Sequence, residues 1–171
     1  MGTFPGGLRM LMTIVVAFLA GVIVTGLITV SVVKSRMISV QESALSFEET
    51  IAALEGNIAA AEGWSSPGTR DLNGMMAKHG VTFEPRVRLV EMCKAPYAAR
   101  VLQNDRKLAT LMPCAIAVYE DDDGRVWLSK MNLGLMGKLF GGTVGEVMGD
   151  LVAGEEKRIL APILTRAAAS N

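Results

Sequence analysis

Histidine occurs once and cysteine twice in this 171-residue chain, and aromatic side chains make up 5% of it. The single His79 allows no histidine cluster, and Cys93 and Cys114 form no C-x-x-C pair, so a metal or redox site has no motif of its own here. His79 also has no matched carboxylate or nucleophile in the pattern, and no catalytic set emerges around it. Its place in Lys78-His79-Gly80, at a predicted helix end, suits a cation near the negative pole of the helix dipole. Acid is missing from the first 36 residues, which carry Arg9, Lys34 and Arg36. The remaining 135 hold 14 basic and 17 acidic residues, a slightly acidic balance without the clustered basic face that nucleic acid requires. The glycines around Gly134-Leu135-Met136-Gly137-Lys138 and Gly141-Gly142-Thr143 lack the Gly-Lys-Ser/Thr order of a phosphate loop and read as close helix packing. Asp121-Asp122-Asp123 lacks the further ligands of a calcium loop and reads as a solvated turn.

Charge is also missing from Leu11 through Val33, 23 consecutive positions. As a helix they reach roughly 34 Å, against about 30 Å of bilayer hydrocarbon. The run exceeds the apolar core of a secretory signal, about 7–15 residues, and Ser31-Val32-Val33-Lys34 is a poor cleavage site. The expectation is an uncleaved single-pass anchor whose first partner is the lipid bilayer. Arg9 on one side nearly balances Lys34 and Arg36 on the other, so the positive-inside bias is close to tied. An anchor leading straight into a folded domain places that domain on the periplasmic or other extracytoplasmic side. Thr13, Ala17, Gly21, Thr25 and Thr29 recur every four residues and line one helix face with small side chains, a surface suited to self-association or to another membrane protein's helix.

Beyond the anchor, Met37 to Ser43 alternates apolar and polar and predicts a strand. Ser46 and Glu49 have capping-box spacing, opening a helix with Phe47, Ile51, Leu54 and Ile58 on one face and Gly63 at its end. Trp64 to Arg70 reads as an edge strand interrupted at Pro67 and Gly68. Asp71 caps a short helix through Lys78, and Gly80 stops it. Strands follow at Arg86–Cys93, Cys114–Glu120 and Arg125–Met131, the last two joined by a tight turn over Asp121–Gly124. Tyr97, Val101 and Leu102 keep helical spacing between the first two. From Leu133 to about Arg166 an apolar stripe runs through Met136, Phe140, Val144, Val147, Met148 and Leu151. The order describes an α+β domain, helices packed on one face of a mostly antiparallel sheet. The chain thus divides into an N-terminal tail (1–10), a transmembrane helix (11–33), the domain (37–166) and a C-terminal tail (167–171).

If Glu120 faces Arg125 across the turn, Cys114 faces Met131 at the sheet end away from the aspartates. Cys93, which ends its own strand, reaches the same end. With Met112 just ahead of Cys114 this gathers two thiols and several thioethers, with His79 as a further candidate ligand. Soft sulfur donors of this kind suit copper(I). Two thiols within about 4.4–6.8 Å (Cα to Cα) can instead pair as a disulfide or handle sulfur or electrons. The same residues also serve as ordinary core fillers. No cofactor is required by the pattern.

Three segments together, Val90–Ala98, Leu111–Glu120 and Met131–Asn132 with Leu135–Gly142, resemble the domain of unknown function 302 family over roughly residues 37 to 160. The resemblance implies a TBP-like arrangement of strand, helix, four strands and helix, often dimeric, with the family's cysteine positions falling on Cys93 and Cys114. It supplies no catalytic residues. The anchor and Lys94, where the family often has Asn after the first cysteine, are departures from its pattern. These features make a membrane-anchored, non-enzymatic binding or accessory module the leading functional expectation, with thiol or copper(I) handling as the alternative.

Overall fold

The computed structural model describes residues 6–164, and the chain falls into two compact units, residues 1–36 and 37–171. The first is one helix, α1 (Gly6–Arg36), 31 residues long. It begins earlier than the expected span because Gly6 to Met10 continue the helical backbone, so the expected tail of residues 1–10 is helical from Gly6. Its window of highest hydropathy averages 2.7, with none of it buried. One helix near the N-terminus is therefore long and apolar enough to span a membrane.

The second unit is an α+β fold built on a six-stranded, wholly antiparallel sheet in the order β1 (Ile38–Glu42), β6 (Val126–Met131), β5 (Cys114–Glu120), β4 (Val87–Lys94) and β2 (Trp64–Ser65), with β3 (Thr69–Asp71) also paired to β4. Pro67 and Gly68 divide the predicted edge segment into β2 and β3. The helix α2 (Phe47–Ala60) is opened by Glu49, whose carboxylate accepts from the Ser46 N–H at 3.1 Å and the Ser46 hydroxyl at 2.6 Å. Phe47, Ile51, Leu54 and Ile58 are all buried, against the sheet face carrying Val90, Met92, Ile116, Val118, Val126 and Leu128. Each fully buried aliphatic side chain in such a layer stabilises the fold by about 1.5–3 kcal/mol. Asp71 caps α3 (Leu72–Ala77) by accepting from the Gly74 N–H at 2.8 Å.

The β5–β6 register differs from the expected one by a residue. Glu120 faces Val126 and Val118 faces Leu128, so Cys114 is not opposite Met131; Met131 pairs with Ile38 on β1 instead. The turn explains it. The Asp121 N–H donates to the Arg125 carbonyl at 2.9 Å and Gly124 takes φ +75°, leaving a three-residue loop in place of a four-residue one. Facing residues share a sheet side, and this register alone sets the buried Ile116 and Val118 in phase with the buried Val126 and Leu128.

The C-terminal stripe is also divided. Gly141 and Gly142, with φ +65° and +51°, end α5 (Leu133–Phe140) and start a second arm: α6 (Gly142–Val144), a π-helical stretch (Gly145–Val152) and α7 (Ala153–Leu160). The two arms pack so closely that a Cβ on Gly137 would lie 2.6 Å from the Gly149 Cα. Phe140, expected in the buried stripe, sits at the corner and is 56% exposed. The expected C-terminal tail, and the last two positions of the expected domain, lie outside the described residues.

Candidate functional site

Chemistry-bearing side chains collect at the sheet end where β4 finishes and β5 begins. Met92 faces Cys114 across these strands, while Cys93 and Lys94 pair with Ser65 and Trp64 of β2. Strand alternation sends Met92 and Cys114 toward the helices and Cys93 toward the other side. Both cysteines nevertheless line one cavity of about 20 Å³, together with Met92, Met112 and Met148. That space holds a single atom or water, not an organic substrate. Both thiols are free. Burial first, then the nearby Glu156 and Cys93, push the Cys114 thiol up to about 12, against the opposing pull of Lys130. Cys114 is therefore a protonated thiol at neutral pH and a poor nucleophile.

Of the other expected ligands, Met112 joins this cavity, whereas Met131 lies in a neighbouring one of about 310 Å³ that Cys114 also borders. His79 is not brought to the cysteines. It lines a separate groove with Leu72, Met75, Met76, Lys78 and Val81, because its helix follows β3 at the opposite end of the sheet, where Asp71 pairs with Arg88. Among the described residues no group of three or more His, Cys, Asp or Glu side chains is arranged to hold a metal. Thr13, Ala17, Gly21, Thr25 and Thr29 all lie on α1 and are exposed, with the Thr29 hydroxyl turned back onto the Thr25 carbonyl at 2.9 Å.

Two carboxylates that sequence reasoning missed organise the same end. Glu155, in the first turn of α7, accepts from Trp64 Nε1 at 2.6 Å, Lys94 Nζ at 2.8 Å and the Tyr97 hydroxyl at 2.7 Å. Burial pushes this carboxyl up, but the three donors outweigh it and hold it at about 2. Trp64 and Tyr97 meet edge to face at 6.5 Å, and Lys94 Nζ lies 4.8 Å from the Tyr97 ring centre. A carboxylate so fully engaged is a weak base; it clasps β2, β4, α4 (Ala95–Asn104) and α7 together. Glu156, the next residue, is 2% exposed and accepts from Lys130 Nζ at 2.5 Å. Burial raises its carboxyl above the ordinary range, partly countered by Lys130. One signal for this pair was present in the sequence: Lys130 stands in phase with the inward Val126 and Leu128 of its strand.

Fold and site together define an α+β domain whose sheet end is packed with sulfur and paired charges. Residues 38–161 match the family described as domain of unknown function DUF302, and the chain belongs to that family. A solved structure of an uncharacterized conserved DUF302 protein from Bacillus stearothermophilus has the same fold, with a TM-score of 0.64 at 20% identity, covering 72% of this chain and 95% of that one. No curated protein matches the chain.

Proposed function

We propose that this protein is a non-enzymatic binding or accessory module held on a membrane by α1, with its domain on the periplasmic or other extracytoplasmic side, and that it pairs with itself or joins a larger membrane complex. The observation carrying this reading is the joint at Met37. The apolar helix, uncharged from Leu11 through Val33, ends at Arg36 and the sheet begins at Ile38, so one residue of chain separates the two elements. Pairing is supported by the sheet face that the helices leave open. Ile38 and Val40 are 54% and 47% exposed there, beside Leu89, Ala117 and Met131, and apolar exposure of this kind marks contact surfaces. The small-residue face of α1 offers a second one. Mass measurement of the full chain in mild detergent tests the proposal: a dimer or larger complex is expected, and a strictly monomeric, partnerless particle counts against it.

A second reading, thiol-based copper(I), sulfur or redox handling, is favoured by the cavity shared by Cys93, Cys114 and three thioethers. Its size suits one soft ion, and binding would displace the proton that burial keeps on Cys114. Titrating the Cys93→Ser and Cys114→Ser variants with copper(I) and a thiol reagent decides it. The reading fails if neither cysteine in the folded protein binds metal or reacts.

A further inference from the structure

The first strand of the sheet carries its polarity the wrong way round. Its apolar residues, Ile38 and Val40, face away from the helices, while Ser39, Gln41 and Ser43 face the helical layer, in line with Lys130 and Leu128 of β6. An inward strand face is ordinarily the apolar one, because burial there is what holds the sheet to its helices. Ser43 finds its own partner at this depth, the Thr50 hydroxyl at 2.7 Å. Beside Ser39 and Gln41 the layers do not close, and a cavity of about 290 Å³ remains between β1 and α7.

The walls of that cavity have two characters. The strands β1 and β6 contribute Ser39, Gln41 and Lys130, while α7 and the residues after it contribute Lys157 with the aliphatic Leu160 and Leu164. No Asp or Glu lines it, although the domain as a whole carries more acid than base. Lys130 is committed to Glu156 at 2.5 Å, whereas Lys157 is exposed and has no ion-pair partner among the described residues. With Lys130 neutralised, the charge left at this cavity is that of Lys157, which disfavours a cationic ligand, while the hydrogen-bonding groups beside it disfavour a purely apolar one. The volume lies at the small end of the range for ligand sites, about 300–1,000 Å³, and roughly twice the 150 Å³ that accommodates benzene.

We propose that this cavity binds a small organic carboxylate, its head group held by Lys157 over Ser39 and Gln41 and its apolar body against Leu160 and Leu164. The inference rests on reading the chain as a binding module and gives that module a class of ligand. Lys157 supplies the charge the ligand answers, and the inverted strand supplies neutral polar groups that hold a carboxylate without competing for it.

The test is calorimetric titration of the full-length protein in detergent with hexanoate, hexylammonium and hexan-1-ol, each against a detergent-only blank, with dodecanoate as a fourth arm. Hexanoate is expected to bind and the neutral and cationic analogues not to. Lys157→Glu, an exposed substitution that leaves the core intact, is expected to weaken hexanoate roughly tenfold or more. Equal binding of all three six-carbon probes, or wild-type affinity in K157E, would overturn the proposal. So would a response to dodecanoate alone, which would assign the cavity to a lipid acyl chain. If hexanoate fails while the protein still runs as a dimer or complex, the ligand class is wrong and the module stands. If a partnerless monomer binds hexanoate through Lys157, the ligand class stands and the pairing module fails.

Discussion

Glu155 shows how much one side chain organises at the cysteine end of the sheet. Its carboxyl, held at about 2 against an ordinary 4.5, contributes stability that is present above the unfolded value and lost as pH falls through the folded one. Glu155→Gln is expected to lower the melting temperature at neutral pH. Its deficit relative to the wild type should shrink between pH 4.5 and about 2, which thermal melts across that window will show. Cys114 behaves in the opposite sense. Its thiol, raised from 9 to about 12, keeps its proton while an unfolded cysteine loses one, so it stabilises the fold fully below pH 9 and progressively less as pH rises toward 12. In a Cys93→Ser background, alkylation of the folded protein at pH 8 should be slow and should accelerate sharply in denaturant. Rapid labelling of the folded form would contradict the burial assigned to Cys114.

Among the elements, the C-terminal helical arms depend most on a single small residue. A Cβ at Gly137 would meet the Gly149 backbone at 2.6 Å and the Gly145 carbonyl oxygen at 3.1 Å, neither of which is a flexible side-chain end. Gly137→Ala is expected to destabilise the domain by about 1–3 kcal/mol, the ordinary cost of overpacking, measurable by denaturant unfolding. Gly154→Ala, in open space on the same chain segment, should leave stability unchanged or slightly raised through better helix propensity. The glycine-rich composition was legible as close helix packing. The division of that stretch at Gly141–Gly142 was not, because an apolar stripe of helical period reads the same whether it continues or folds back. The β5–β6 register was within reach: the in-phase Ile116, Val118, Val126 and Leu128 already demand it, and the turn composition alone misdirected it by one residue.

At the scale of the whole molecule the governing feature is the contrast between the uncharged run Leu11–Val33 of the first unit and the slightly acidic second one. If α1 lies in a bilayer, an Arg at its midpoint costs about 2.5–3.5 kcal/mol on insertion scales. Val22→Arg is therefore expected to shift the protein from the carbonate-resistant membrane fraction toward the soluble one, and unchanged fractionation would count against the anchor. The open sheet face adds a second expectation. Val40→Lys should reduce any dimer seen in detergent without lowering the melting temperature of the domain, since Val40 is 47% exposed in the single chain.

Sequence alone determined what local interactions control. The apolar run, the Ser46–Glu49 and Asp71 caps, the strand segments and the α+β class all rest on hydrophobic period, capping chemistry and turn residues within a few positions of one another. The site needed the tertiary structure, because its partners are distant in the chain and meet through strand pairing and helix packing. Trp64 and Glu155 are 91 positions apart, Lys130 and Glu156 are 26 apart, and no local pattern joins either pair. The cavity beneath β1 was hidden for a related reason. Alternation in Met37 to Ser43 announces a strand but not which side faces the core, and only the pairing of Ser39 with Lys130 turned its polar row inward.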